Sequence, residues 1–544
     1  MIAAEWVSWV LQHGCTERLM AVIDTLAEHD RYQASLGIER AATYVNQVAQ
    51  QRGLSNVETH HFTADGKQRW WQFHAPLAWT PLQATLQLDT TKWCLDHHQH
   101  AYALATYSCS AHGQYTLVNT HTSQMARCIV VIPAEDFQNG NWPAVLIQAG
   151  AAGFVTDAYA RYDPVTSSSY RGRLELPPGC PLFAFSVLPE EMQHLLSAAQ
   201  QGVSATVAIS LDRSASMPVV TACLPAAPST QTREIWLTAH LCHSRAGAND
   251  NASGVSALLE TATLLMQLLK EGLSPLRYVL RLVWGPEFLG VAALQHAFQH
   301  RPPPLAVINL DMVGEDQALC ASPFCIERPP IGVSSPLGSL AEAFAAEVFT
   351  QTANAGGRWL SMPFHGFSDH ALFMNYSSPE QNCPAIQLCH INDRFNHCAA
   401  DTRDKVSPLE LKRTLAIVVP LLLALQHYDP EQLAPPRPPV QRQDGPRGHW
   451  PGPLNLRGLI QELPASLRQS LEGYLAQNKR YLAALHHCAL NADGRSWQDI
   501  FAATSQELEM PLPDDVKSLF YQVLTHSPWF SMPSPTVQET PYDR

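Results

Sequence analysis

Residues 233–270 read REIWLTAHLCHSRAGANDNASGVSALLETATLLMQLLK, and the fold turns on this stretch. It opens with a near-continuous apolar run ending at His240, without the polar–apolar alternation of a half-exposed strand. A polar loop containing Gly247 follows, then a helical pattern from Ser253 to Lys270. Two more apolar runs come next, LRYVLRLVWG and LAVINLDMVG, with the helical SSPLGSLAEAFAAEVFTQ after them. Strands buried on both faces and alternating with helices predict an α/β fold with a mostly parallel sheet. Ligands in such sheets gather at the carboxyl ends of the strands. Chemistry is therefore expected at His240, near Glu287 and at Asp311, where the three runs end.

Outward from this core the texture changes in both directions. Residues 1–60 carry three amphipathic helix patterns, and short alternating strands begin near Trp70. The catalytic domain is expected to combine residues 1–90 with 226–430. Between them, 91–225 repeats a strand–helix–strand pattern (ARCIVVIP, WPAVLIQAGAAGFVTDAY, LFAFSVL, EEMQHLLSAAQQG, SATVAISL) and reads as an inserted α/β domain. A proline-rich linker spans 431–452. Amphipathic helices fill 453–544, a pattern that suits a small winged-helix-like module.

Composition narrows the function. The chain has 544 residues, long enough for several domains, and only 15% are charged, so a large core forms and wholesale disorder is excluded. The formal net charge is -13, which argues against a nucleic-acid coat. The tail repeats that message, with 7 Lys and Arg against 10 Asp and Glu over 451–544. Its expected role is protein contact, shielding the active site or forming a homo-oligomer. No run approaches the roughly 20 apolar residues of a membrane span, and no membrane partner is expected. The first residues lack the basic start of a secretory signal, and the 13 cysteines are scattered without a CxxC pair. Reduced thiols in a cytoplasm are the expected setting.

The catalytic third holds a set of metal-ligand types, each in a loop beside a strand end or ahead of a helix. His240 and Asp250 lie ten residues apart, Glu287 follows in VWGPEFLG, Asp311 in INLDMVG, and His397 and Asp401 in RFNHCAADTRD. Neutral imidazole with carboxylate is a donor mix that suits zinc and leaves room for water. A nearby carboxylate could then move the proton of an attacking water. No G-x-S-x-G elbow, P-loop or GxGxxG competes with this reading.

GANDNASG, NLDM and a His four residues before a DT pair resemble the co-catalytic di-zinc aminopeptidases that include the bacterial leucyl aminopeptidases and glutaminyl cyclases. The resemblance covers roughly 226–410. It implies a zinc-exopeptidase core holding one or two zinc ions through His240, Asp250, Asp311 and His397, with Asp250 bridging. It implies Glu287 as general base, and HGFSDHALF as a substrate-side loop offering Asp369 and His370. GAAGFV resembles the protease-associated domain, a lid-like insertion of several exopeptidases. An uncharacterised bacterial branch of the peptidase family is similar in carrying a winged-helix-like tail.

Two departures stand out. The family places adjacent glutamates here, a base and then a ligand, whereas this chain has Glu287 followed by Phe288. Either Glu287 is the base and one metal lacks its usual carboxylate, or Glu287 shifts to become the ligand. Cys242 also stands where the family carries an acid that orients the ligating histidine. His243 follows it as an added ligand or a substrate contact. The function so implied is hydrolysis of the N-terminal residue of short or modified peptides. The alternatives are an amidase or deacylase maturing a peptide natural product, and a non-catalytic metal-binding platform.

Overall fold

The computed structural model describes residues 3–138, 142–158, 169–227, 233–333, 335–435 and 445–531. Its central sheet has eight strands: β1 (Ser55–Phe62), β2 (Met217–Leu224), β3 (Glu234–His240), β4 (Val279–Gly285), β5 (Ala306–Leu310), β6 (Phe324–Glu327), β7 (Trp359–Met362) and β8 (Ala385–His390). They lie in the order β1-β2-β4-β3-β5-β8-β6-β7. The middle pairs β4–β3, β3–β5 and β5–β8 are parallel, as the buried apolar runs predict. β1 and β2 add an antiparallel edge.

Side-chain alternation divides the strands between two apolar layers. Ile235, Leu237 and Ala239 of β3 face the larger layer, built with helices α1 (Ala3–His13), α2 (Thr16–Ala27), α3 (Leu36–Gln51), α4 (Gly254–Lys270), α6 (Leu337–Gln351) and α7 (Pro408–Leu425). Trp236, between them, faces the smaller layer with α5 (Leu289–Ala297) and the turn Asp369–Phe373. Residues 248–270, α4 with the turn before it, are long and apolar enough to cross a membrane, although no such span is expected from the sequence. That segment is 78% buried inside the protein, which accounts for its apolar composition.

α4 begins hard against β5. A Cβ on Gly254 would lie 2.3 Å from the Leu310 carbonyl oxygen and 2.4 Å from Asn251 Oδ1, so only a bare backbone fits. Gly254→Ala is expected to cost about 1–3 kcal/mol through backbone displacement. The check is a thermal melt, in which an unchanged midpoint would show that the helix start yields freely.

The inserted domain begins earlier and ends earlier than 91–225. Its seven-stranded sheet takes in Thr80–Leu88 at one end and closes with Ser204–Asp212, while Met217–Leu224 belongs to the central sheet. The apolar pattern alone does not say which sheet a strand joins. LQATLQL is a strand as expected, but ALATYSCS forms no strand and pairs only through isolated bridges and single hydrogen bonds. Strand order runs from an antiparallel half into a parallel half, Ala111–Asn119, Ile129–Ile132, Gly153–Thr156 and Phe183–Ser186, over a core of its own.

Of the linker expected at 431–452, residues 436–444 lie outside the described residues. The C-terminal module packs α8 (Leu456–Gln461), α9 (Ala465–Gln477), α10 (Arg480–Leu490), α11 (Trp497–Glu507) and α12 (Asp514–His526) around one apolar cluster. Two short strands at its ends, Arg447–Gly448 and Phe530–Ser531, pair with each other. Among the described residues these are the module's only strands.

Candidate metal centre and active site

The parallel register puts His240 beside Gly285, so β3 and β4 deliver His240 and Glu287 to the same edge of the sheet. Asp311 follows β5 directly. Asp250 arrives from the loop ahead of α4, and its peptide bond to Asn251 is cis. His397 follows β8, at a φ of +57°. All five stand at the carboxyl ends of the strands or in the loops after them, as expected.

Asp250 joins two groups. Its Oδ1 lies 3.1 Å from His240 Nε2, which also lies 3.1 Å from Asp311 Oδ1. Its Oδ2 lies 3.0 Å from His243 Nε2 and 3.2 Å from His397 Nε2. The donor atoms of His243, Asp250 and His397 fall within 4.8 Å of one another, and so do those of His240, Glu287 and Asp311. His243, one of whose readings was a substrate contact, thus completes a cluster with the bridging carboxylate.

Backbone carbonyls set the imidazoles. His240 Nδ1 donates to the Cys242 carbonyl at 3.0 Å, and His243 Nδ1 to the Ser244 carbonyl at 3.0 Å. With Nδ1 tied to a carbonyl, each Nε2 is turned toward the carboxylates, the orientation a metal ligand requires. The Cys242 carbonyl thereby does the orienting that its side chain, in place of an acid, could not. The Cys242 sulfur takes a different task and accepts the Glu287 N–H at 3.2 Å. His243 Nε2 is buried and near Asp250, yet has no aligned hydrogen bond. A nitrogen and an oxygen converging in that way fit a shared cation.

The imidazoles differ in charge state. Burial, and then the Arg173 charge, hold His397 down to about 4, so its imidazole is neutral and free to ligate. Burial opposes charge on His240, but Asp311 and Asp250 outweigh it and hold the imidazole well above its usual value, so its Nε2 keeps a proton that a bound cation would displace. Burial pushes Asp250 up, and the surrounding imidazoles pull it well below the carboxylate range. This buried assembly of carboxylates and histidines calls for positive charge, and its nitrogen and oxygen donors fit zinc.

Residues that the sequence left unmarked hold this centre. Arg31, 1% exposed, bonds the carbonyls of Leu241, Ala246 and Gly247 and exchanges backbone hydrogen bonds with His243. Asp401 accepts from the backbone N–H groups of Asn249 and Asp250 at 2.8 and 3.0 Å. From the inserted domain, Tyr102 Oη lies 3.4 Å from His243 Nδ1, and Arg173 N donates to the His397 carbonyl at 2.8 Å. None of these contacts has a local sequence signal, because the partners lie far apart in the chain.

A third group, Glu315, Cys320 and Asp393, sits behind the bridging loop. Burial pushes the Cys320 thiol up, while burial and then Asp393 raise Glu315 well above its usual value. Asp393 rises to about 7 through burial and then Asp401. Groups that keep their protons make poor metal ligands; Glu315 bonds the Asn249 side chain and so braces the loop.

The substrate side is sorted by the turn Asp369–Phe373. Asp369 Oδ1 accepts the Phe288 N–H at 2.6 Å and steadies Phe288 at a strained φ of +56°. Burial and then the nearby Glu287 raise Asp369 to about 8. Glu287 is itself raised, by burial first and in spite of His240. His370 does not reach the site: it is fully buried, with Nε2 donating to Glu327 Oε1 at 2.7 Å. The one-residue step along the turn points the two side chains in different directions.

Residues 220–422 match the model of peptidase family M28. This segment is a peptidase family M28 domain. No curated protein matches the sequence. Among solved structures, a proposed peptidase from Clostridium acetobutylicum is similar at a TM-score of 0.57 and 15% identity, covering 97% of this chain and 98% of that one. A zinc aminopeptidase from Bacillus subtilis is similar at 0.54 and 16%, covering 78% of this chain and 99% of its own. A peptidase M28 precursor from Shewanella amazonensis gives 0.56 and 14%, covering 80% and 99%. The matched model is that of a peptidase family, and the buried nitrogen and oxygen donor groups of this segment fit zinc.

Proposed function

We propose that the M28 domain is an aminopeptidase that removes the N-terminal residue of short or modified peptides. The observation that carries this reading is the division of Asp250: one carboxylate oxygen faces His240, and the other faces His243 and His397. His240, Asp311 and Asp250 form one ligand set, and His243, His397 and Asp250 the other. His243 then stands in for the carboxylate that Phe288 does not supply. Zinc held by these sets supplies Lewis acidity, which polarises an amide carbonyl and brings the pKa of water to about 7.

Both sets are complete without Glu287, which also lines the adjoining cavity. Its carboxylate is free to take a proton from the attacking water and give it to the leaving amine nitrogen as the C–N bond breaks. Burial raises Glu287 toward the working pH, where a group that both takes and gives a proton is most effective. Asp369 stays protonated up to about pH 8 and so adds no second negative charge beside it.

Metal analysis of the purified chain, run beside hydrolysis of aminoacyl-anilides and dipeptides, tests the reading. Zinc in excess of one ion per chain and hydrolysis abolished by a chelator are expected. Zinc without hydrolysis of these substrates would favour a specialised amide instead. No zinc after reconstitution would overturn the catalytic account.

A further inference from the structure

The C-terminal module does more than cover the M28 domain: it supplies one wall of the cavity that Glu287 enters. That cavity has a volume of about 310 Å³ and lies between Glu287, Phe288 and Leu372 on one side and Arg457, Gln461 and His486 on the other. The module is seated firmly there. His487 Nε2 donates to the Phe364 carbonyl at 2.6 Å, and Asn375 exchanges hydrogen bonds with Leu454 at 3.0 Å each way.

The wall is chemically specific. Arg457 is the only lysine or arginine among the described residues lining the cavity. Its guanidinium lies over the Phe288 ring, 4.9 Å from the centroid, a contact that supports a cation without neutralising it. Among the described residues no ion pair holds Arg457. Its charge is felt across the cavity, where it lowers the pKa of Glu287 against the effect of burial. A glutamate at position 288 would stand next to that guanidinium and compete for it. Beside Arg457, His486 is 4% exposed, and its Nε2 has no hydrogen-bond partner among the described residues. Burial holds this ring neutral, and its hydrogen bond to the His365 backbone leaves Nε2 as an acceptor, so the ring adds no charge beside Arg457.

We propose that Arg457 holds a carboxylate of the substrate, which makes the preferred substrates short peptides carrying an anionic group beyond the scissile bond. The proposal rests on the aminopeptidase reading for the position of the scissile bond. The cavity is at the small end for ligand sites and suits a dipeptide. The carboxylate is the free C-terminus of such a dipeptide, or the side chain of an acidic residue in its second position. Phe288 thereby gains a reason: it gives up a metal ligand and leaves a cation free for substrate.

Calorimetric binding to the full-length Glu287→Gln chain separates this proposal from the catalytic one, because it needs no turnover. The ligands are Ala-Leu, its C-terminal amide, and Ala-Glu amide. Ala-Leu is expected to bind about 10- to 100-fold more tightly than its amide, the range of one charge-assisted contact. Adding Arg457→Ala should remove that difference, and Arg457→Lys should restore part of it. Preference for Ala-Glu amide over Ala-Leu would assign the carboxylate to a side chain and support the same proposal. Equal binding of all three, binding of none, or a preference that survives Arg457→Ala would overturn it. Hydrolysis by the parent chain without this discrimination sinks the substrate proposal alone. Discrimination without hydrolysis sinks the aminopeptidase reading alone.

Discussion

Glu287→Gln is expected to leave zinc content at the level of the parent chain and to lower kcat by about 10²–10⁴-fold, the usual worth of a positioned general base. The amide keeps the volume and the hydrogen-bonding edge of the carboxylate but cannot take a proton. Folding should be little affected, since the contacts that fix this segment run through its backbone: the Glu287 N–H to Cys242 Sγ and the Phe288 N–H to Asp369. Metal analysis and steady-state kinetics on one preparation decide the matter. Zinc lost in proportion to activity would show that Glu287 ligates beside His240 and Asp311, the other role its position allows.

His243→Ala is expected to lower zinc content to about half and kcat/KM by 100-fold or more, since even residues that only orient ligands cost about 10–100-fold. Without His243, the second set keeps only Asp250 Oδ2 and His397, fewer protein donors than zinc sites ordinarily use. The His240 set should persist, because its contacts with Asp250 Oδ1 and Asp311 do not involve His243. A variant with full zinc and only a raised KM would return His243 to the role of substrate contact. His243→Asp offers a smaller carboxylate at the same backbone position, and partial recovery of zinc over the alanine variant would confirm that a donor is what is missing.

These two residues also show where sequence reasoning reached its limit. Glu287 was legible because the register of a parallel sheet brings every strand's carboxyl end to one edge, so each apolar run marks its own site residue where it stops. Asp311 was legible in the same way, and Asp250 and His397 through the motifs GANDNASG and the His four residues before a DT pair. His243 was ambiguous because it lies past the strand, where backbone direction depends on partners remote in sequence. Arg31, more than two hundred residues earlier, takes three carbonyls of that loop and turns His243 toward Asp250. The roles of Asp369 and His370 were hidden by the same physics, since adjacent side chains on a tight turn meet unlike surroundings.

By itself, the sequence determined the α/β class, the parallel core, the presence of a second α/β unit and a helical tail, and the ordered set of histidines and carboxylates. Each of these follows from local periodicity or from donor chemistry, which are properties of neighbouring residues. Only the tertiary structure decided which sheet claims the strands at 80–88 and 217–224, that His243 faces Asp250 beside His397, and that the tail brings Arg457 to the cavity beside Glu287. Those outcomes depend on packing between segments distant in sequence, where burial, steric fit and the pairing of buried polar groups choose among arrangements that local pattern leaves equal.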